Sequence, residues 1–359
     1  MRNIYFTPGP AALYFTVEDH IKTALRQQIP SISHRSKAFQ SIYQECEENL
    51  KALLTIPEDY HVFFTGSATE IWERIIQNNV DQHCHHYVNG AFSDRFRAFA
   101  NELGKKVSVE KAADGERVIP HQDQVSKDCE LLAFTLNETS TGVAQPLEEI
   151  YQMARAFPDT LIAVDAVSTL PYPDIDYSKV DTVFFSVQKG FGLPAGLGVW
   201  ILSPRCVEKA QRLLDDGRVV GTYHSIPSLL EKARKNQTPE TPNVLNIYLL
   251  AKVCGDMMEK GIGKIRQETE YKSSLMYHTL DEHPLLRPFV KDPHIRSKTV
   301  IVAETEGTAT TLIDMLKNNQ LVVGGGYGNY KTKHIRIANF PTHSKEQFEM
   351  LVDKINLLK

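Results

Sequence analysis

The chain has 359 residues, a formal net charge of −4, 42% hydrophobic side chains and 23% charged ones. This length allows two domains with substantial cores, and the near-neutral charge argues against nucleic acid as the main partner. No apolar run approaches the roughly 18 residues of a membrane span, and five scattered cysteines without a CxxC pair fit a reducing cytoplasm and no disulfide framework. The opening MRNIYFTPGP lacks the basic and apolar regions of a secretory signal.

In chain order, Thr7-Pro8-Gly9-Pro10 cannot be regular structure, because two prolines flank a glycine. It is either a linker or a fixed, tight loop. Residues 17–27 read as an amphipathic helix. A polar loop with adjacent His34 and Arg35 follows, then a second helix over Lys37–Leu54. Arg35 is either a surface charge or a bidentate ligand for an anion. The strand His61–Thr65 runs into Gly66-Ser67-Ala68-Thr69 and a helix over 70–78. Such a small-residue turn aims backbone N–H groups at one point, as a phosphate cradle or an ordinary N-cap. A strand over 86–88 comes next, then Asn89-Gly90 and a helix beginning near Phe92. The run His83-Cys84-His85-His86 invites a zinc reading. Adjacent strand residues point to opposite faces, however, so no metal is expected there.

Strand Leu131–Thr135 leads into the hydroxyl-rich run Asn137-Glu138-Thr139-Ser140-Thr141-Gly142 and a helix over 146–157. Two short runs rich in β-branched and aromatic residues then read as buried parallel strands. The first, 161–164, ends in Asp165. The second, 183–186, leads into Gln188, Lys189 and Gly190. Alternation of strand and helix from residue 61 to 202 predicts an α/β fold with a mostly parallel, doubly wound sheet in a large domain. The strand ends at 65–69, 135–141 and 165, with the lysine loop, would then line one edge.

The pattern weakens from 213 to 243, where residues 237–242 form an extended, proline-fixed segment. Helices over Val244–Lys260 and 262–283 follow, then a strand over 298–303, a helix over 308–318 and a strand over 321–323. A loop at 324–326, the strand His334–Ala338 and a last helix opening with the capping box Ser344-x-x-Gln347 complete the chain. The expected division is a large domain over 16–252 and a small α+β domain over 253–359, joined by the N-terminal segment 1–15. Arg336 interrupts an apolar strand and is costly to bury unpaired, so it either reaches the surface or holds a ligand anion.

An acid and a lysine on two strand ends, Asp165 and Lys189, suit pyridoxal 5'-phosphate (PLP). The lysine condenses with the aldehyde, and the carboxylate keeps the pyridine nitrogen protonated so that the ring accepts electrons from a substrate carbanion. An Asp ending an apolar strand also serves nucleotide-bound magnesium or a helix N-cap. The nucleotide reading fails because no GxxxxGK[ST] occurs in the chain.

TPGP at 7–10, SHRSKAF at 33–39, NETSTGV at 137–143, AVDAVST at 163–169, SVQKG at 186–190 and TPETPN at 238–243 occur in that order. In this set and order the chain resembles the class V aminotransferases of the fold-type I PLP enzymes, over essentially its whole length. The resemblance implies that Lys189 binds the cofactor and then shuttles the proton between substrate Cα and the cofactor carbon. It implies that Asp165 pairs with the pyridine nitrogen, that Gln188 and Thr139 lie near the 3′-oxygen, and that Phe92 stacks on the ring. Ala68 and Thr69 would contact the phosphate, mainly through backbone N–H groups. Glu240 and Thr241 would reach the phosphate of a neighbouring subunit, making a homodimer with shared sites the expected active unit; Glu240 stands where the family often has Asn. Gly9 and Arg336 are expected at the amino-acid or keto-acid substrate, with Arg336 clamping its α-carboxylate.

Within the class, SHRSKAF and the chain length resemble the phosphoserine branch. That resemblance implies 3-phosphohydroxypyruvate and glutamate as substrates, with His34 and Arg35 binding the anionic side chain, Arg35 across the dimer. Two departures remove cations. Gln320-Leu321 precede VVGG where that branch has His-Arg, and Thr69 stands where it often has Arg. NETSTGV and GYGNYKTKHIRI are more similar to the alanine– and serine–glyoxylate aminotransferases, the alternative reading. A cysteine desulfurase is disfavoured, because Gln188 rather than His precedes the lysine and no cysteine follows Cys254. A non-enzymatic α/β binding protein, the contrasting class, would be colourless.

Overall fold

The computed structural model describes residues 3–307 and 309–357. Residues 1, 2, 358 and 359 of the expected domain spans, and Thr308 at the expected start of a helix, lie outside the described residues.

Two sheets organise the chain. The larger has seven strands in the order His61–Thr65, Gly198–Leu202, Thr182–Ser186, Leu161–Asp165, Leu131–Thr135, His83–Val88 and Lys106–Lys111. All run parallel except Gly198–Leu202, which is antiparallel to both neighbours. The connection from Ser186 to Gly198 is too short for a crossover helix, so the chain returns beside the strand it has just left. Leu131–Thr135, Leu161–Asp165 and Thr182–Ser186 are buried along their whole length, as strands covered on both faces must be.

The period of two divides their side chains between two cores. On one face Phe63, Ala163, Phe184 and Trp200 meet Ile71, Trp72 and Ile75 of the helix Ala68–Asn79. On the other, Val62, Phe64, Phe134, Val164 and Val183 meet Phe39 and Tyr43 of Lys37–Leu54 and Leu250 of Val244–Lys260. These two helices are also tied by Asn49 Nδ2 donating to the Ala251 carbonyl at 3.0 Å.

The second sheet has the order Ile4–Phe6, Leu321–Gly325, His334–Ala338, Val300–Thr305 and Leu286–Pro288. Ile4–Phe6 pairs in parallel with Leu321–Gly325, so an N-terminal strand lies in the sheet otherwise built from residues 286–338. Thr7–Pro10 then crosses to the edge of the larger sheet. There Ala11 N–H donates to the Gln188 carbonyl at 3.0 Å, and Tyr14 N–H to that of Gly192 at 2.8 Å. This run is a fixed loop and not a linker.

Several elements depart from the sequence expectation. The strand expected over 86–88 starts at His83 and is buried throughout. Lys106–Lys111 is an unexpected edge strand, its polar residues tolerated because the edge is partly exposed. Helices Pro204–Asp215 and Ile226–Ala233 fall at or inside the stretch where the apolar pattern weakened. Gly324 and Gly325, expected in a loop, extend a strand. No helix among the described residues is long and apolar enough to cross a membrane.

Candidate active site

The carboxyl ends of the parallel strands open into a cavity of ≈ 250 Å³, where an α/β sheet places its ligands. Thr135, Asp165 and Ser186 end three of the strands that reach it, and Gln188 and Lys189 follow the third. Ala68, Thr69 and Trp72 line it from the first turns of the helix Ala68–Asn79. Phe92, Asn137 and Thr139 line it from the other side, and Gly9 and Pro10 enter from the N-terminal crossing. Of the thirteen residues singled out from the sequence, Gly9, Ala68, Thr69, Phe92, Thr139, Asp165, Gln188 and Lys189 thus line one cavity. A larger cavity of ≈ 600 Å³ lies elsewhere, about Asp181 and Arg205. Its buried carboxylate is already satisfied by Ile162 N–H, the Ser203 hydroxyl and Arg205.

Asp165 is held by two donors. Trp72 Nε1–H donates to one carboxylate oxygen at 2.9 Å and Val167 N–H to the other at 2.9 Å. Burial nevertheless pushes its pKa up to about 7, with the Glu138 carboxylate adding to the rise while the two N–H donors and Lys189 oppose it. Lys189 donates from Nζ to the Pro8 carbonyl at 2.6 Å. Burial pulls its pKa down to about 8, helped by the Arg336 cation and opposed by Asp165 and Glu138. The loop at residues 7–10 fits tightly round this amine. Gly9 has φ +146°, and a Cβ there would stand 2.4 Å from both Cε and Nζ of Lys189, so only glycine leaves room.

The wall opposite the lysine is built on a carboxylate that sequence reasoning passed over. Glu138 is fully buried and accepts hydrogen bonds from Phe92 N–H (3.2 Å), Ser93 N–H (2.9 Å), Ser140 N–H (3.1 Å) and the hydroxyls of Ser93 (3.0 Å) and Ser140 (2.6 Å). A negative charge at the start of Ala91–Glu102 meets the positive end of that helix dipole, and it fixes Phe92 and Thr139 on the cavity wall. Trp72 and Ser186 were missed as well. Trp72 lies three residues beyond Thr69, on the same face of a helix, and the Ser186 hydroxyl accepts from Ala68 N–H at 3.0 Å. A Trp in a helix and a Ser at a strand end carry no functional signal until their neighbours are placed.

Arg336 stands behind this wall. Its Nε donates to the Gly325 carbonyl at 2.7 Å and its Nη1 to the Thr139 carbonyl at 3.4 Å. Its guanidinium also lies 5.5 Å from the Tyr327 ring, which packs 5.1 Å from Phe92. His34, Arg35, Glu240 and Thr241 are not in the wall of their own chain's cavity. Arg35 donates to Gln237 Oε1 (3.0 Å) and to the carbonyls of Thr238 (2.7 Å) and Pro239 (3.0 Å). His34, its pKa lowered by burial and by Arg35, feels the Glu240 carboxylate too, so the four residues form one ridge. Gln320 and Leu321 also lie outside the cavity. The Gln320 carbonyl accepts from Ile4 N–H at 2.8 Å, and Leu321 is buried in the second sheet's core. Like the ridge, these two positions are therefore outside their own chain's cavity wall. Among the described residues no group of His, Cys, Asp and Glu could hold a metal ion. His83 and His85 meet on the Ser108 hydroxyl, while the buried His86 ring packs against Phe96.

Two observations fit an anionic pyridine cofactor. Gln188 Oε1 is buried without a hydrogen-bond partner, and Asp165 is a buried carboxylate whose raised pKa a pyridinium N–H would relieve.

Residues 7–328 match the family described as aminotransferase class-V. The chain is similar to a solved phosphoserine aminotransferase from Cytophaga hutchinsonii, with TM-score 0.96, 50% identity, and coverage of 99% of this chain and 98% of that one. A phosphoserine aminotransferase of Rhodococcus opacus is 28% identical over 331 residues, 90% of this chain and 87% of the relative. An alanine–glyoxylate aminotransferase structure from a Nostoc species, 22% identical with TM-score 0.81, covers 99% of this chain and 94% of its own. At that identity it shares the fold.

Proposed function

The chain belongs to the class-V aminotransferase family, a family of PLP-dependent transaminases, and on that basis we propose that it exchanges an amino group between O-phospho-L-serine and L-glutamate. In the biosynthetic direction 3-phosphohydroxypyruvate and L-glutamate become O-phospho-L-serine and 2-oxoglutarate. The carrying observation is the 50% identity to the Cytophaga hutchinsonii phosphoserine aminotransferase across 99% of this chain.

When bound, the cofactor supplies an aldehyde that captures the amine and a ring that delocalises the electrons left on Cα. The chain's residues account for the rest. Asp165 would hold the proton on the pyridine nitrogen, kept in place by Trp72 and Val167. Lys189, with its amine pulled toward neutrality, would take the proton from Cα and return it on the other side of the exchange. Thr139 and Gln188 would meet the 3′-oxygen, Phe92 the ring face, and the Thr69 N–H the phosphate, the Ala68 N–H being taken by the Ser186 hydroxyl. Arg336, anchored through Nε, keeps a fork of N–H donors suited to a carboxylate.

The ridge of His34, Arg35, Glu240 and Thr241 lies outside its own cavity, which supports a homodimer in which each ridge serves the neighbouring site. The two sheets support a division into units at 16–252 and 253–359, with 1–15 joined to the second. Five free, buried cysteines support a cytoplasmic location.

The test is a single half-reaction. Protein loaded with PLP is mixed separately with L-phosphoserine, L-glutamate, L-alanine and L-serine while the visible colour of the bound cofactor is followed. Rapid bleaching by phosphoserine and glutamate supports the reading. Bleaching by alanine or serine without phosphoserine moves the enzyme to glyoxylate exchange, and absence of colour ends the PLP assignment.

A further inference from the structure

His224 lies between two carboxylates on separate elements. Its Nδ1 is paired with Glu70 Oε1, and its Nε2 faces Glu240 Oε2 at 3.0 Å. The side chain is only 4% exposed, so neither contact is a surface accident. Glu70 accepts Gly66 N–H at 3.0 Å through its other oxygen, within the turn that carries Ala68 and Thr69 to the cavity. Glu240 belongs to the ridge fastened by Arg35, and Thr238 Oγ1 donates to its backbone carbonyl at 2.8 Å. One connected set of contacts therefore runs from the cavity's small-residue turn, through a single imidazole, to the ridge.

The charges explain why an imidazole stands there. A phosphate dianion at this turn would face Glu70 in the same chain and Glu240 on a ridge, and carboxylates repel a dianion. The double pairing raises the pKa of His224 to about 9 despite burial, so it is cationic at neutral pH. Arg74 lies behind Glu70 at 3.5 Å, the Tyr223 ring lies 4.1 Å from that of His224, and His34 and Arg35 lie on the Glu240 side.

We infer that His224 is a positioning residue that neutralises Glu70 and Glu240 together, locks the 66–69 turn to the 237–241 ridge, and thereby sets the affinity for the cofactor phosphate. The inference rests on the reading of the cavity as a PLP site. It also explains how a Glu can stand in the ridge beside a phosphate: its charge is taken up by a cation of its own chain.

The test titrates apo-protein with PLP, reading visible absorbance for affinity and sedimentation velocity for assembly. Proteins compared are wild type, His224→Gln, Glu240→Gln and the double variant. His224→Gln is expected to weaken PLP binding about tenfold or more, because it leaves Glu240 uncompensated and Glu70 with Arg74 alone. The double variant is expected to recover most of that loss, since the two sites share one interaction. His224→Gln within about twofold of wild type, or a double variant no better than the single one, overturns the inference. If His224→Gln does not fold, wild type against Glu240→Gln decides. Wild-type affinity must then fall more steeply as pH rises through about 9, where the imidazolium is lost, while titration of Lys189 is common to both proteins. Parallel pH curves refute the role. A colourless wild type overturns the cofactor reading and this inference with it; a coloured wild type with unchanged His224→Gln affinity overturns this inference alone.

Discussion

Gly9→Ala separates the fold from the chemistry. The added Cβ would lie 2.4 Å from Cε and Nζ of Lys189 and 2.8 Å from Cδ, against the 3.4 Å at which ordinary contact begins. Something must move by about 1 Å, and the atoms met are the far end of a flexible side chain. The backbone at φ +146° adds strain of about 1–3 kcal/mol for a non-glycine residue. The variant is therefore expected to fold with a lowered melting temperature, while the amine leaves the Pro8 carbonyl to which it donates at 2.6 Å. Misplacing a reacting group by about 1 Å costs on the order of 100-fold in rate. Circular dichroism and thermal melting report the fold; apo-protein titration and steady-state turnover report the amine. A variant that keeps PLP affinity and turnover within about threefold of wild type would show that the loop does not confine Lys189, and the reasoning from this close approach would be wrong.

Trp72→Phe removes one of two donors from the Asp165 carboxylate. A hydrogen bond to a charged group contributes about 1.5–3 kcal/mol, equivalent to about one to two pKa units. Asp165, already raised to about 7, is then pushed higher, so more of it is neutral at physiological pH. The acidic limb of the pH dependence of PLP affinity is expected to move up by about one unit, and an unmoved limb would show that the indole N–H is not tuning the acid. For Lys189 the folded pKa is lowered, so the charged amine is the penalised form and the neutral amine gains as pH rises through about 8. The rate at which apo-protein loads PLP should follow that midpoint rather than the ordinary lysine value. Arg336→Gln should move it upward by removing a neighbouring cation, and a midpoint that stays put in stopped-flow loading refutes the coupling.

The chemistry of this site was legible where sequence and topology coincide. Asp165 and Lys189 end or follow buried strands, and a short apolar run bounded by a charge can be read without neighbours. The hydroxyl-rich stretch at 137–142 and the small-residue turn at 66–69 were legible for the same reason. Trp72 and Glu138 were not, because each acts through a contact made by the fold. An indole in an amphipathic helix reads as core, and a Glu between hydroxyls reads as solvated until the start of the earlier helix Ala91–Glu102 closes over it. The polar edge strand Lys106–Lys111 has too little apolar alternation to stand out, and the antiparallel return at Gly198–Leu202 depends on a connection length rather than on composition.

The proposed substrate places a demand on charge that one chain's cavity does not meet. Phosphoserine brings a carboxylate and a phosphate to a site that would already hold the cofactor's phosphate. Among the described residues, Lys189 is the cation that lines this cavity, and Arg336 stands behind its wall at the Thr139 carbonyl. Lys189 is the reacting amine, and its lowered pKa makes it a poor permanent counter-ion. Arg336 can serve one carboxylate. A further cation must come from outside the wall, and Arg35 is suited to the task. Its guanidinium is held by three contacts to residues 237–239, which fix its orientation before any ligand arrives and reduce the entropy lost on binding. In the proposed homodimer a rigid Arg on a ridge outside its own cavity's wall would serve the neighbouring one, as would Thr241 beside it. In the proposed homodimer the phosphate specificity and the two-chain active unit would be one property: a cavity deprived of the neighbouring ridge would keep the acid, the lysine and the carboxylate fork, and with them amino transfer, but would lose its preference for the phosphorylated substrate.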